Sequence, residues 1–479
     1  MRRSLRITIL LGAILAIILI LAGYWWGTPR IVAVSPEDGA AAVPAREGVR
    51  ISFSRPMQHT AIENSLSFEP DIQGNIRWEG DSLIFEPGQG WPAGVKIQAR
   101  LDARARATGL LPLRLRQKME WSFTIRQPSL VYLYPAAGPA NLYLFDPGSN
   151  ESQPLTDYLL GVIDFDISGD GAALYYSSRQ ENGSAIYRLR LGQDQIAAGE
   201  PAEATPELVS LLPELVLACE KALCGGLTLA PEGSFLAYER SALPESNQPT
   251  YPQVWIAPLD SQGGTAPFLA GEPAHQTTLP SWAKNGWLAV YDTDAAAYLF
   301  IEPGAGERTR FENQTGQAGA WHPSGNAFLA PEINFLDANF SPSLSDLEPL
   351  ADSHLILFDL QSGATQDLTP EQGTEDTTPV FSPDGNYLAF ARKYLDPQRW
   401  MPGRQLWVAK TDSREARPLT DQPLYNHYQF AWSPSGEKLA YVRFNQSLMT
   451  EPPEIWVLNL LSGVETRSAV GGYSPKWLP

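Results

Sequence analysis

The sequence predicts an all-β protein in three parts: an N-terminal transmembrane helix, a small β-sandwich, and a β-propeller of six or seven blades. Seven blades are favoured, with the C-terminal strand closing the ring. Three observations support this: one long uncharged run, short strands between turn residues, and an internal repeat of strand pattern. The predicted boundaries are a cytoplasmic stub at 1–6, the helix at 7–26, the sandwich at 30–127 and the propeller at 128–479.

Composition limits both the fold and the partners. Of 479 residues, 43% are hydrophobic, 39 are Gly and 41 are Pro. These values indicate packed cores and many turns, and they exclude a helical bundle. The 53 acidic and 35 basic side chains give a net charge of −18. Because a phosphate backbone is recognised through basic surfaces, we exclude nucleic-acid binding.

The N-terminus contains a run long enough to cross a membrane. Ile7–Trp26 has no charged residue, and a helix of this length spans about 30 Å of hydrocarbon. Arg2, Arg3 and Arg6 precede it, so the positive-inside tendency places everything after Gly27 outside the cytoplasm. The alternative is a cleavable signal peptide, which usually has a shorter apolar region. We therefore expect a single-pass protein of the cell membrane whose bulk is periplasmic or on the cell surface.

Residues 30–127 consist of short strands between Gly, Pro and Asp turns, at the spacing typical of a β-sandwich. This segment resembles the bacterial Ig-like domains of surface-layer and other exported proteins. The resemblance rests on four motifs: VSPEDGAAAVP (34–44), ISFSRPM (51–57), LIFEPG (83–88) and WSFTI (121–125). It implies a spacer or adhesive module without catalytic residues.

From Pro128 onward one pattern occurs six times: an apolar strand, a turn ending in Gly, and a second, alternating strand. The copies are FDISGDGAALYYS (165–177), LTLAPEGSFLAYE (227–239), PSWAKNGWLAVYD (280–292), GAWHPSGNAFLAP (319–331), PVFSPDGNYLAFA (379–391) and FAWSPSGEKLAYV (430–442). Most are followed by a third strand and several by a fourth. Four antiparallel strands repeated every 40 to 60 residues or so are typical of propeller blades.

The motif FSPDGNYLAF…LWV…LT resembles the WD40-like repeat of the TolB family and of the propeller in prolyl oligopeptidase relatives. The resemblance covers residues 128–479. Within the motif, Gly permits the tight turn, and the Asp or Asn before it can accept hydrogen bonds from turn amides. We therefore interpret the motif as a structural hairpin.

The two ends of the repeat region decide the number of blades. Ser129–Thr156 supplies the second, third and fourth strands of a blade without a first. Tyr473–Pro479 supplies a first strand with nothing after it. Joining the two gives six complete copies and one composite blade. Six blades remain the alternative if one weak copy is not a full blade.

We find no catalytic signature in the sequence. GxSxG, HExxH and GxxxxGK[ST] motifs are absent, and we expect no α/β domain of the kind that holds the nucleophile in prolyl oligopeptidase relatives. The five histidines, at 59, 275, 322, 354 and 427, lack metal-ligand spacing. We predict no catalytic residue, no cofactor and no metal.

One segment looks like a calcium loop. Asp164, Asp166, Ser168 and Asp170 alternate as calcium ligands do, but the twelfth position, where an EF-hand needs Glu, is Tyr175. The same stretch fits the hairpin repeat. We therefore favour the structural interpretation.

Cys219 and Cys224 are the two cysteines of the chain. Disulfides persist in exported proteins, and redox catalysis usually uses a CxxC arrangement instead of this wider spacing. The pair is expected to be a small structural disulfide or two packed thiols.

Long insertions indicate a binding face. The loops at 239–253, 331–353, 392–404 and 443–454 join second to third strands, so they leave the same face of a propeller as the links between blades. We predict that variation in loop length is confined to this face. The candidate binding residues are Arg392, Lys393, Arg399, Trp400, Arg404, Tyr425, His427, Tyr428 and Arg443. Arg and aromatic residues are enriched in binding hot spots, which favours an acidic partner or a glycan. The alternative is a set of solvated loops.

Together these features predict a membrane-anchored, extracytoplasmic protein without catalysis. Its Ig-like spacer would present a propeller that binds a protein, peptide or glycan partner in the envelope or outside the cell. One alternative is a propeller enzyme, lyase or glycan-acting, with a site in the central channel. Another is a purely architectural envelope protein. Convergence of acidic or His side chains from several blades in the channel would favour the enzyme.

Overall fold

The computed structural model describes residues 28–478 except 46, 89, 104–105, 109–112, 148, 192–211, 245–249, 260–265, 336–350 and 413–414. The chain divides into two compact units, Met1–Arg126 and Gln127–Pro479. Almost every described element in both units is a strand. The predicted transmembrane helix at 7–26 lies outside the described residues. Within the described part of the chain, no helix has the length and apolar character needed to span a membrane.

The first unit is a two-sheet β-sandwich. Its described elements are β1 (Ile31–Ser35), β2 (Ala40–Val43), β3 (Val49–Phe53), α1 (His59–Glu63), β4 (Leu66–Glu69), β5 (Gly74–Glu79), β6 (Ser82–Pro87), β7 (Lys96–Leu101) and β8 (Met119–Ile125). Sheet 1 has the strand order β1-β3-β6-β5, and sheet 2 has the order β2-β8-β7-β4.

The core of this unit follows from alternation along the strands. In β7, Ile97, Ala99 and Leu101 are buried while the residues between them are exposed, as a sheet with one solvated face requires. Trp91 is fully buried in the same core, and its indole N–H donates to the Glu47 carbonyl at 2.7 Å. The all-β sandwich predicted for this segment is confirmed.

The second unit consists of four-stranded antiparallel sheets, written here from first to fourth strand. Sheet 3 contains β36 (Tyr473–Trp477), β9 (Leu130–Tyr134), β10 (Asn141–Asp146) and β11 (Glu151–Pro154). Sheet 4 contains β12 (Val162–Ile167), β13 (Ala173–Gln180), β14 (Gly183–Arg190) and β15 (Glu214–Glu220). Sheet 5 contains β16 (Ala222–Leu229), β17 (Phe235–Ala242), β18 (Gln253–Pro258) and β19 (Phe268–Leu269).

The remaining sheets have the same plan. Sheet 6 contains β20 (Thr277–Trp282), β21 (Leu288–Asp292), β22 (Ala297–Glu302) and β23 (Gly306–Glu312). Sheet 7 contains β24 (Ala320–Trp321), β25 (Ala327–Phe335), β26 (Ala351–Asp359) and β27 (Thr365–Asp367). Sheet 8 contains β28 (Thr374–Phe381), β29 (Tyr387–Tyr394), β30 (Gln405–Lys410) and β31 (Ala416–Pro418). Sheet 9 contains β32 (Tyr425–Trp432), β33 (Lys438–Asn445), β34 (Glu454–Asn459) and β35 (Glu465–Val470).

First strands of successive sheets contact one another in order, from β12 through β16, β20, β24, β28 and β32 to β36. One parallel bridge, between Ser353 and Glu375, also joins sheets 7 and 8. Sheets arranged around their first strands in this way are the blades of a β-propeller.

The repeated turn is closed by its own side chains. Ser168 Oγ accepts the backbone N–H of Ala173 at 2.9 Å and donates to Asp170 at 2.6 Å. Ser382 Oγ accepts the N–H of Tyr387 at 2.9 Å in the equivalent turn of sheet 8. Since these bonds satisfy turn amides locally, the repeat motif specifies hairpins, as its sequence indicates.

Tryptophan side chains join neighbouring sheets at four described junctions. In each case the indole N–H donates to a backbone carbonyl in the first strand of the preceding sheet. The four bonds are Trp282 to Thr228 (3.1 Å), Trp321 to Ser281 (3.0 Å), Trp432 to Val380 (3.1 Å) and Trp477 to Ala431 (2.9 Å). Each of these indoles also packs in an apolar cluster, so one side chain supplies both contact area and a hydrogen bond.

Carboxylates make the junction between sheets 4 and 5. Asp164 and Asp166 of β12 accept the backbone N–H groups of Leu227 and Leu229 at 2.7 and 2.8 Å. The calcium-like spacing of this segment therefore serves hydrogen bonding to the neighbouring strand.

The C-terminal strand pairs as predicted. β36 runs antiparallel to β9, with Tyr473 opposite Leu133, Lys476 opposite Val131 and Trp477 opposite Leu130. Leu478 is fully buried, and its N–H donates to the Ser129 carbonyl at 3.0 Å. Lys476 Nζ reaches sheet 4, where it donates to the Phe165 carbonyl at 2.7 Å. The two ends of the second unit thus meet in one sheet.

Five first strands contain a bulge in which one extra residue has positive φ. The extra residues are Gly226, Leu279, Thr378, Gln429 and Ser474, with φ of 56°, 55°, 49°, 52° and 52°. Four of the five have side chains that disfavour this conformation, so the surrounding contacts must hold it. Gln429 and Ser474 do so mutually: the Ser474 N–H donates to Gln429 Oε1 at 2.8 Å, and Gln429 Nε2 donates to Ser474 Oγ at 3.1 Å.

Cys219 and Cys224 form a disulfide, with their Cα atoms 6.3 Å apart. The bond joins β15 to β16, two strands of different sheets that are separated along the chain by Lys221 alone. Both cysteines are buried.

The prediction that length variation is confined to one face is wrong. The connection from Arg190 to Glu214 joins the third and fourth strands of sheet 4, and such connections leave the face opposite to the one predicted. The sequence obscured this because β15 and β16 follow each other almost without a break.

Candidate binding surface

The predicted binding residues lie at one end of sheets 8 and 9. They are on the loop face, defined here as the face with the loops between second and third strands and the links between sheets. Arg399, Trp400 and Arg404 are in such a loop, but the other six were expected in loops and instead lie in strands. They are Arg392 and Lys393 in β29, Tyr425, His427 and Tyr428 in β32, and Arg443 in β33.

Arg392 is buried and is not part of the accessible surface. Its side chain is 2% exposed and forms a two-pronged ion pair with Asp376, with both N···O distances 2.7 Å. A third bond of 2.7 Å goes to Glu371 Oε2. The guanidinium also lies 5.0 Å from the Trp407 ring centre. These ion pairs satisfy the buried charge of Arg392.

Arg399 and Trp400 form the accessible part of this site. Arg399 is 46% exposed, donates to Asp396 and to Glu371 at 2.7 Å each, and lies 3.9 Å from the Tyr394 ring centre. Trp400 is 55% exposed, with the Lys393 ammonium 5.2 Å from its ring centre. Glu371 thus bridges the buried Arg392 and the exposed Arg399.

Arg404 and His427 join sheets 8 and 9. The Arg404 guanidinium pairs with Glu375, and the Arg404 carbonyl accepts hydrogen bonds from the His427 backbone N–H at 3.0 Å and ring Nδ1 at 2.8 Å. His427 is fully buried, and that burial lowers its pKa to about 4. It is therefore a neutral core residue near pH 7 and is not exposed for binding.

Arg443 is held between two aromatic rings. Its guanidinium lies 4.6 Å from the Tyr425 ring centre and 4.1 Å from that of Trp456. It pairs with Glu454 at 2.9 Å and donates to Gln422 at 2.6 Å. Burial alone would raise the pKa of Glu454, but hydrogen bonds from Trp456, Arg467 and Arg443 outweigh it and lower that pKa.

Tyr428 stands apart from the others. Its ring packs edge-on against Phe444, with centres 5.5 Å apart, in the apolar cluster between sheets 9 and 3. The structure therefore brings together Arg392, Lys393, Arg399, Trp400, Arg404, Tyr425 and Arg443, which we call the rim cluster, and leaves Tyr428 partly buried against the apolar cluster.

All four predicted arginines are paired with carboxylates of the same chain. The arginine charge that suggested an acidic partner is thus neutralised within the protein. Sequence reasoning missed the partners Glu371, Glu375, Asp376, Asp396 and Glu454. A signal for one of them exists, because Glu454 lies directly opposite Arg443 in the strand register.

Acidic groups do meet near the first strands of sheets 4 and 5. Burial raises the pKa of Asp164 and of Glu239, and the charge of Asp164 contributes to the latter shift. Both carboxylates accept backbone N–H groups of the next sheet at 2.7 Å, from Leu227 and Leu279. Their geometry is that of supports for neighbouring strands.

Two other histidines have carboxylate partners. His275 Nδ1 lies 2.7 Å from Asp292, and His354 Nδ1 lies 2.8 Å from Asp367; each hydrogen bond raises the pKa of its imidazole. Among the described residues, no group of three or more His, Cys, Asp or Glu is placed to hold a metal ion.

Residues 27–125 match the family of bacterial Ig-like domains, in agreement with the sandwich of β1–β8. Solved structures similar to the chain include TolB-like propeller proteins. No curated protein matches the chain.

Two solved structures of TolB are similar to this chain. The putative TolB from Agrobacterium tumefaciens is 18% identical, with 72% of this chain and 91% of that one covered and a TM-score of 0.37. TolB from Acinetobacter baumannii is 11% identical, with coverages of 87% and 83% and a TM-score of 0.42. Puromycin hydrolase is 12% identical, with a TM-score of 0.48; 80% of this chain and 53% of that one are covered. At such identities the likeness concerns the fold.

Proposed function

We propose that this protein is a membrane-anchored, extracytoplasmic binding or scaffold protein without catalysis, and that its propeller binds a protein, peptide or glycan partner through the loop face. The observation that supports this most directly is the rim cluster. Paired guanidinium groups and aromatic rings are fixed there around an exposed Trp400.

Such an arrangement suits binding for a physical reason. Association costs less when the contacting side chains are already ordered, and Glu371 with Asp396 holds Arg399 in place before any partner arrives. Exposed Trp and Arg side chains are the residues that most often dominate interface energies. Because the arginine charges are neutralised internally, they attract an acidic partner only weakly. The exposed aromatic surface is therefore the stronger argument for binding.

The domain organisation completes the proposal. Residues 30–127 act as a spacer, and 128–479 form a seven-bladed ring in which sheets 3–9 are the blades and β36 closes the circle. The pairing of β36 with β9 supports this count. The anchor is proposed from the uncharged run at 7–26 and the preceding arginines.

Two alternatives make different predictions. A propeller enzyme would need free acid or base groups in the channel, whereas Asp164 and Glu239 are hydrogen-bonded to neighbouring strands. A purely architectural protein would tolerate changes at Trp400 without consequence.

The test is capture of a partner from envelopes by the full chain in nonionic detergent after mild crosslinking. The double variant Arg399→Ala with Trp400→Ala should lose at least tenfold in recovery of the specific partner, since each removes an exposed contact. A matched control is Arg308→Ala with Tyr387→Ala, because these residues are 47% and 41% exposed and lie outside the rim cluster. Equal recovery by both double variants would refute binding through the rim cluster.

A further inference from the structure

Exposed apolar side chains continue the loop face beyond Trp400, across sheets 9, 3 and 4. We call this set the apolar arc; its members are Leu424, Leu448, Met449, Tyr134, Leu159 and Leu160. Leu159 is 92% exposed and Met449 is 73% exposed. Single exposed apolar residues are ordinary, but a row of them on one face of a soluble domain marks an interaction surface.

The segments of the arc are joined by backbone hydrogen bonds. Each bond connects a loop or link of one sheet to the next around the face. The bonds are Gly403 N to Pro423 O (3.0 Å), Gln446 N to Leu424 O (2.8 Å), Gly471 N to Pro453 O (2.6 Å), Ala136 N to Gly471 O (2.7 Å) and Val162 N to Ala140 O (2.6 Å). The exposed side chains are therefore displayed on an ordered platform, which lowers the entropic cost of binding.

The charged residues that flank the arc are mostly acidic, and Arg179, whose backbone N–H donates to the Gly161 carbonyl at 3.0 Å, is a cation beside Leu160. The loop at 135–140 and the link at 471–472 contain no charged residue, and the flanking segments contribute Asp157, Asp421 and Glu451. No described residue forms an ion pair with Asp157 or Asp421, whereas Arg399 and Arg404 nearby are paired with carboxylates. With a net charge of −18 over the whole chain, the field at this surface favours cations.

We propose that the apolar arc docks a protein segment that presents apolar side chains next to lysine or arginine. This rests on the proposed function and narrows its partner from protein, peptide or glycan to one kind. Leu and Met at loop tips offer no hydrogen bond to sugar hydroxyls, but they bury well against aliphatic and aromatic side chains. The acidic flanks complement a basic segment and would repel an anionic lipid surface.

The first experiment selects peptides from a random 12-residue phage library on the immobilised full chain in nonionic detergent. Enriched peptides should combine apolar residues with lysine or arginine. A synthetic representative, labelled with a fluorophore, should bind at least tenfold more weakly to the variant Leu159→Ser with Met449→Ser. The matched control is Leu461→Ser with Val464→Ser, whose residues are 82% and 58% exposed on the opposite face.

Three outcomes overturn the inference. The first is that no peptide is enriched on the parent relative to the Leu159→Ser, Met449→Ser variant, and the second is that the enriched peptides are acidic. The third is that the control variant loses as much peptide affinity as the Leu159→Ser, Met449→Ser variant. All four substituted side chains are at the surface, so both variants should fold, and equal melting temperatures verify it.

A second measurement places a photo-crosslinking amino acid at position 449 of the full chain in cells. A crosslink to a protein segment rich in apolar and basic residues is expected, and crosslinks to lipid alone would overturn the proposal. The result also separates this inference from the proposed function. If the partner captured through Arg399 and Trp400 is retained by the Leu159→Ser, Met449→Ser variant, the rim cluster binds without the arc, and only the present inference fails.

Discussion

Deleting Tyr473–Pro479 should destabilise the whole second unit, because these residues supply the first strand of sheet 3. Trp477 is 7% exposed and Leu478 is fully buried. Each buried side chain of this kind contributes about 1.5–3 kcal/mol. The Leu478 N–H and the Trp477 indole also donate to carbonyls of Ser129 and Ala431. Each such bond adds about 1 kcal/mol.

The total is therefore about 5–8 kcal/mol, a large share of the roughly 5–15 kcal/mol that stabilises a typical domain. Two point variants divide this effect. Trp477→Phe removes the N–H donor and part of the buried ring and should cost about 1–3 kcal/mol, whereas Trp477→Ala leaves a larger cavity and should cost about 3–5 kcal/mol. Trp400→Ala is the matched control, since that indole is 55% exposed.

Thermal unfolding followed by near-ultraviolet circular dichroism measures the effect on the full chain in nonionic detergent. We expect Tm to fall in the order parent, Trp477→Phe, Trp477→Ala, deletion, with Trp400→Ala near the parent. A deletion variant that melts like the parent and stays soluble would refute closure of the ring by β36 and the blade count that depends on it.

Three further predictions concern burial, pH and topology. Arg392→Ala leaves the buried Asp376 carboxylate without its partner and should lower the free energy of chemical unfolding by about 3–5 kcal/mol. The double variant Arg392→Met with Asp376→Leu should recover most of that stability. An equal loss of stability in both variants would contradict a buried ion pair. Because the pKa of His427 falls from 6.5 to about 4 on folding, the unfolded chain binds an extra proton between these values. Stability should thus be complete above about pH 6.5 and fall by up to about 1.4 kcal/mol per pH unit below it, and His427→Asn should flatten that slope in Tm measured from pH 7 to 4.5. Protease added to cells with permeabilised outer layers should digest the propeller, and full protection would contradict export after Gly27.

Local chemistry explains what the sequence could predict. The hairpin turns are specified within a few residues, as when Ser382 accepts from Tyr387, so the repeat pattern located the strands on both sides of each turn. The same reasoning paired the two ends, since the strand at Tyr473 had no second, third or fourth strand after it and Ser129–Thr156 had no first strand.

Long-range geometry explains what the sequence could not predict. The bulge at Thr378 inserts one residue into β28, so pairing counted outward from the turn places Asp376 opposite Lys393 when its true partner is Arg392. A shift of one residue exchanges the two faces of a strand, and with them the buried and exposed side chains. The sequence therefore indicated which residues gather at the rim, but not that Arg392 and His427 are buried there.

Because β36 lies far along the chain from sheet 4, the ring can close only some time after sheet 4 has been synthesised. The hydrogen bond from Lys476 to the Phe165 carbonyl joins residues 311 positions apart. At synthesis rates of about 5–20 residues per second, about 15–60 s pass between the synthesis of Phe165 and the synthesis of Lys476. During this interval β9 has an open edge on the side that β36 will occupy, and open edges of strands recruit other chains. Once residues 473–479 have been synthesised and β36 pairs with β9, this edge is no longer open to other chains.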